Sequence, residues 1–137
     1  MKPPLVVDAS VVVKLLLDEE GTDRARTLFD RDATLMAPDF LLLEVANVLW
    51  KRTIRREMAA EKAAEGLSHA ASLPLALTST PSLVTAAIEL AIALSRTVYD
   101  CSYLALALRH DCPMVTADAR LVNALADGPL ERHIELL

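Results

Sequence analysis

A chain of 137 residues is long enough for one domain with a true core, and its formal charge of −5 argues against nucleic-acid binding through bulk positive charge. Apolar residues make up 53% of it and aromatic residues only 4%, so Leu, Val, Ala and Ile must build the core. Gly21, Gly66 and Gly128 fall in neither a GxGxxG nor a GxxxxGK pattern, and Cys101 and Cys112 form no CxxC, which argues against a dinucleotide fold or phosphate loop and for reduced thiols in a cytoplasmic protein.

The first element expected is a buried strand, Leu5-Val6-Val7, closed by Asp8-Ala9-Ser10 and followed by a helix through Val11–Leu17. A carboxylate in that place lies at a strand's C-terminal edge, where open α/β sheets bind ligands. It serves equally as a helix cap. After the polar break Asp18-Glu19-Glu20-Gly21, Thr22 is expected to cap a second helix, Asp23–Asp30, with Ala25, Leu28 and Phe29 inward. Thr34–Ala37 reads as a strand stopped by Pro38. Asp39 is then the expected cap of a long third helix reaching about Glu57.

Phe40, Leu41, Leu42, Leu43, Val45, Ala46, Val48, Leu49 and Trp50 cover nearly every side of that helix, which predicts burial all round. Glu44 and Asn47 interrupt it, at i and i+3 on one face. A buried carboxylate needs a partner, either a basic residue, a hydrogen-bond network or a cation. The helix ends in Lys51-Arg52-Thr53-Ile54-Arg55-Arg56, the best basic patch in the chain, which the helix dipole alone explains.

Ala59–Ser72 is a fourth helix, paired with the third, with His69 isolated on it. Leu75–Thr78 is a third strand, and Pro81 opens a fifth helix, Leu83–Ser95, expected to be buried or to lie at an oligomer contact. Thr97 to Leu108 is a sixth helix, with Thr97-x-x-Asp100 in the spacing of a capping box. Pro113–Thr116 is the fourth strand. Asp118 follows it as Asp8 follows the first, and opens the helix Ala119–Ala126. His133–Leu137 is a last edge strand. No stretch reads as a membrane span: Ala70 to Ile88 is broken by Pro74 and Pro81, and Asp8 and Lys14 interrupt the apolar N-terminus where a secretory leader carries no charge. Alternating strands and helices predict an α/β fold with a mostly parallel sheet.

Asp8, Glu44, Asp100 and Asp118 each have an ordinary explanation taken singly. Together they stand where a parallel sheet collects ligands, and so many carboxylates side by side need a cation to stay ionised. An oxygen-only donor set points to Mg²⁺ or Mn²⁺ rather than zinc, and suits phosphodiester hydrolysis by a metal-activated water. No GxSxG motif and no Cys–His pairing suggests covalent catalysis.

The segments LVVDASVVVKLLL, PDFLLLEVANVLW, YDCSYLALA and MVTADARL, in this order, resemble the successive motifs of the PIN-domain family. The resemblance runs from Leu5 to Leu121 and is closest to the small toxin ribonucleases of VapBC toxin–antitoxin systems. It implies a single PIN-like domain over residues 1–137, a three-layer α/β/α sandwich and Mg²⁺- or Mn²⁺-dependent endonuclease action on RNA. It carries the acidic metal positions onto Asp8, Glu44, Asp100 and Asp118, the hydroxyl position onto Ser10, and supporting roles onto Asn47 and Thr116. It also implies a homodimer held inactive by a VapB-type antitoxin, with no membrane. Cys101 stands where alanine is usual, and Leu121 replaces a frequent aromatic; neither removes a ligand. Two other readings stay open. One is a non-catalytic PIN-like interaction module. The other is a phosphate-handling α/β hydrolase, which the Ser10 in place of a second aspartate disfavours.

Overall fold

Leu5, Val6 and Val7 are all buried because β1 (Pro4–Val7) is the central strand of a sheet covered on both faces. The computed structural model describes residues 2–137. Around β1 lie β2 (Thr34–Pro38), β3 (Ala76–Thr78), β4 (Met114–Thr116) and β5 (Ile134–Leu136), in the order β3-β2-β1-β4-β5. All four pairings are parallel, with Val6 opposite Met36 on one side and Met114 on the other.

The chain steps outward from β1 to β2 to β3, then crosses back to β4 and on to β5. The direction of winding therefore reverses between β1 and β4. At such a switch point the connections leave the two strands on opposite sides of the sheet, and a crevice opens at the strands' C-terminal ends.

Among the described residues seven α-helices cover the sheet: α1 (Ala9–Leu16), α2 (Thr22–Phe29), α3 (Leu41–Ile54), α4 (Ala60–Ser72), α5 (Val84–Leu94), α6 (Val98–Arg109) and α7 (Ala119–Leu125). Helix α1 packs on α2, α3 and α4, whereas α6 packs on α5 and lies across β1, β2 and β4. Right-handed crossovers put these two groups on opposite faces, which gives the α/β/α sandwich expected from the sequence. The core is built almost wholly of aliphatic side chains, with Tyr103 its largest buried member. Among the described residues no helix is long and apolar enough to cross a membrane.

Several local expectations are corrected. Thr22 does not cap α2; Gly21, at φ 96°, precedes the helix, and the buried Thr22 hydroxyl lies 2.6 Å from Leu17 O and 2.8 Å from Lys14 O while accepting from Glu19 N. Asp39 does not cap α3, which starts after Phe40; its carboxylate instead accepts from the backbone and hydroxyl of Thr80, tying β2's exit to the 3-10 turn Thr80–Ser82. Pro81 opens that turn rather than α5 itself. Helix α3 is not buried all round. Leu41, Val45 and Leu49 form its inner stripe, whereas Leu43, Trp50 and Ile54 are exposed. Helix α5 likewise buries only Ala87 fully, and Val84, Ile88 and Ile92 face outward at a spacing of one turn.

Candidate active site

Asp8 leaves β1 at the switch point. Its backbone N–H still bonds Val115 O of β4, so the turn into α1 is locked to the neighbouring strand. The side chain is buried, and two hydroxyls serve it: Ser10 Oγ donates to Asp8 Oδ2 at 2.6 Å, and Thr116 Oγ1 donates to the same oxygen at 2.9 Å. Each hydroxyl has one proton, spent on Asp8, and each uses a lone pair on the turn after β4. Ser10 Oγ accepts from Ala117 N at 3.0 Å, and Thr116 Oγ1 accepts from Asp118 N at 3.1 Å. The strand ends of β1 and β4 are thus laced together around one carboxylate oxygen.

Asp118 is exposed and caps α7, its Oδ1 accepting from Arg120 N at 3.0 Å and Leu121 N at 3.3 Å. Both readings offered for it concern one side chain with two oxygens, and the cap uses only Oδ1. Asp100 sits in the first turn of α6, where Thr97 caps the helix by accepting from Asp100 N. Glu44, half-buried in the first turn of α3, accepts a 2.7 Å bond at Oε1 from the phenol of Tyr103 on α6. Tyr103 is a residue that sequence reasoning missed. Its position three residues beyond Asp100, on an apolar helix, is the one available signal.

The carboxylates feel one another. Burial is the first cause raising the pKa of Asp8, of Glu44 and of Asp100. Asp8 and Asp100 push Glu44 further up, and Asp8 and Asp118 push Asp100 further up. Hydrogen bonds from Ser10 and Thr116 oppose the shift at Asp8, and the one from Tyr103 opposes it at Glu44. Burial also raises Tyr103, so its phenol stays protonated and has a proton to give Glu44. Among the described residues none of the four carboxylates is in an ion pair; Arg96 is the one cation whose field lowers Asp100. The negative field at this crevice is therefore left largely uncompensated.

Among the described residues no group of three or more His, Cys, Asp or Glu side chains is gathered closely enough to hold a metal ion. The donor chemistry nevertheless suits a hard divalent cation, because every candidate atom is an oxygen. Glu44 is held by one oxygen to Tyr103, and Asp118 by one to the α7 backbone. Binding a cation would require the side chains to draw inward from the positions seen here. Asn47 lies on the exposed side of α3 and lines an open groove with Glu44; among the described residues it makes no side-chain hydrogen bond to the acidic group. Cys101, beside Asp100, is buried with its thiol pushed up to about 11, first by burial and then by Asp100, which leaves it a poor nucleophile. At the basic end of α3, Arg52 bridges Glu19 and Glu57.

The PIN domain family model matches residues 5–125 of the chain. The chain is 33% identical over 121 residues to Ribonuclease VapC3 of Pyrobaculum aerophilum, covering 87% of this chain and 92% of that protein. In fold, it resembles the crystal structure of PAE2754 from Pyrobaculum aerophilum, with a TM-score of 0.71 at 22% identity over 92% of this chain and 82% of the other. It also resembles VapBC2 from Rickettsia felis, solved with a DNA fragment from its promoter, with a TM-score of 0.68 at 14% identity over 97% and 98% of the two chains. The sheet order, the motifs and these matches together make the chain a member of the PIN-domain family, similar among its members to a VapC-type ribonuclease.

Proposed function

We propose that the chain is a divalent-metal-dependent endoribonuclease, the toxin of a VapBC-type pair acting in the cytoplasm, with Asp8, Glu44, Asp100 and Asp118 as the residues that hold the cation. The observation that carries the reading is the buried Asp8 at the β1–β4 switch point, held by Ser10 and Thr116, whose charge raises Glu44 and Asp100 while none of the three is ion-paired among the described residues. A structural role alone gives no reason to keep that repulsion, since a buried like-charge group costs stability. The 33% identity to Ribonuclease VapC3 supports RNA as the substrate.

A Mg²⁺ or Mn²⁺ held there supplies positive charge that acidifies water and offsets the charge developing on a phosphodiester. The protein's part is positioning. Ser10 and Thr116 fix the direction of Asp8, Tyr103 fixes that of Glu44, and the α7 cap fixes that of Asp118. Such outer hydrogen bonds orient acidic ligands and keep them ready for the ion. A carboxylate oxygen free of these bonds is suited to orient the attacking water.

A VapB-type antitoxin and a second copy of the chain are the partners proposed. The VapBC2 likeness supports the first, and the outward apolar row Val84, Ile88 and Ile92 on α5 suits a dimer contact. The test is cleavage of RNA by the purified chain with Mg²⁺ or Mn²⁺. Excess chelator is expected to stop it, and Asp8→Asn to abolish it while the circular dichroism spectrum is unchanged. Cleavage that persists in chelator, or an Asp8→Asn variant as active as wild type, refutes the assignment.

A further inference from the structure

Helix α3 shows two faces to the acidic crevice's surroundings. Glu44 turns toward Tyr103, and next to it Leu43, Asn47 and Trp50, at i, i+4 and i+7, line an open groove of about 650 Å³. The far wall is Phe40 and Tyr99. Tyr99 directly precedes Asp100 in α6 and stands edge-on to Phe40, with ring centroids 5.8 Å apart; Phe40 in turn meets Tyr103 edge-on at 5.5 Å. The groove and the acidic site therefore share Glu44 and are joined by an aromatic chain leading to its hydrogen-bond partner.

Trp50, Tyr99 and Leu43 are 56%, 63% and 74% exposed, an unusual outlay of large apolar surface beside a charged crevice. Among the described residues no basic side chain lines the groove and Glu44 does, so it offers a phosphate no positive charge. It offers aromatic faces and, at Asn47, one amide able to donate and accept at a base edge. We infer that this groove is a nucleobase subsite. A base flanking the scissile phosphate stacks on Trp50 or Tyr99 and is read by Asn47, while the phosphate lies at the carboxylates. The inference rests on the nuclease reading and deepens it by assigning where the RNA's bases are held. Stacking of this kind is sequence-tolerant, because every base has a π-face, and Asn47 adds the preference.

Trp50 is the only tryptophan in the chain, so all indole emission comes from a residue that lines the groove and, on its other side, a hollow against α4. The experiment titrates the uncleaving Asp8→Asn variant, in Mg²⁺, with a fluorescein-labelled single-stranded RNA of about six nucleotides. Anisotropy of the label reports binding, and Trp50 emission reports occupation of the groove. The two are expected to change over the same RNA concentrations. Tyr99→Leu and Trp50→Leu, each in the Asp8→Asn background, are expected to bind about tenfold more weakly, and Trp50→Phe to stay near the parent. In the otherwise wild-type chain the leucine variants are expected to raise KM with kcat little changed, as loss of ground-state binding requires. RNA that binds by anisotropy without altering Trp50 emission, with both leucine variants unaffected, overturns the subsite and leaves the nuclease reading intact. Emission that follows protein concentration rather than RNA overturns it too, by giving the groove to a second copy of the chain. Absence of both RNA binding and wild-type cleavage overturns the subsite together with the reading beneath it.

Discussion

The phenol of Tyr103 donates a 2.7 Å hydrogen bond to Oε1 of Glu44, joining α6 to α3 across 59 positions of sequence. Tyr103 is fully buried, so its hydroxyl has few other places to go. The bond turns one oxygen of Glu44 toward the protein. Removing the hydroxyl by Tyr103→Phe keeps the ring and its packing against Phe40. It is expected to lower RNA cleavage by about 10–100-fold, the usual effect of losing an outer hydrogen bond to an acidic ligand. Metal titration should show the loss in affinity as well. A Tyr103→Phe enzyme with wild-type cleavage would remove Tyr103 from the machinery.

Thr116 ties the carboxylate of Asp8 to the backbone of Asp118. It donates to Asp8 and accepts from Asp118 N, and it is fully buried. Thr116→Val preserves shape but leaves a buried acceptor short of a donor and an N–H without its partner. The expected cost is about 1–3 kcal/mol of stability, measured by denaturant unfolding, with loss of cleavage beyond what the remaining folded fraction explains. Stability unchanged by the substitution would mean that solvent replaces the hydroxyl there.

The raised carboxylates set a pH dependence whose sign is fixed. Asp8, Glu44 and Asp100 hold their protons more tightly in the folded chain than in the unfolded one, through burial first. Folding therefore takes up protons between the unfolded value, about 4, and the raised folded values. Stability from this source falls as pH rises through the folded values. The metal-free protein is expected to melt at a higher temperature at about pH 5 than at about pH 8. Added Mg²⁺ should narrow the gap by binding the ionised, folded form. Calorimetry in chelator at the two pH values checks it, and a melting temperature that rises with pH would contradict it.

Asp8→Asn separates stability from activity. The amide oxygen still accepts from Ser10 and Thr116, while the buried charge and its repulsion of Glu44 and Asp100 are gone. In chelator near neutral pH the variant is expected to melt at or above the wild-type temperature while cleaving no RNA. A clear fall in melting temperature would show that ionised Asp8 holds the fold rather than a ligand.

The fold was legible because its signals are local and repeated. Leu5-Val6-Val7 and Met114-Val115-Thr116 read as buried strands, each followed by an aspartate and a helix, and the parallel sheet follows from that alternation. Local chemistry with a distant competitor was not legible. Asp39 has the side chain of a helix cap, yet Thr80, 41 positions away, takes its carboxylate. Thr22 looks like a cap, yet its hydroxyl is drawn inward by the end of α1. The apolar run of α3 could not show which side neighbours would cover, so Trp50 and Leu43 read as core and stand exposed. At the site, strand-end aspartates announce themselves by position. Tyr103 could not, because its role depends on where Glu44 lands.

The central claim is that these carboxylates act together as one receptor for a divalent cation. Calorimetric titration of Mn²⁺ into the chelator-stripped protein tests it most directly, with Asp8→Asn and Asp100→Asn alongside. Saturable binding to the wild type, weakened about tenfold or more in each variant, is the predicted result. Equal binding by all three proteins, or none by the wild type, would contradict it.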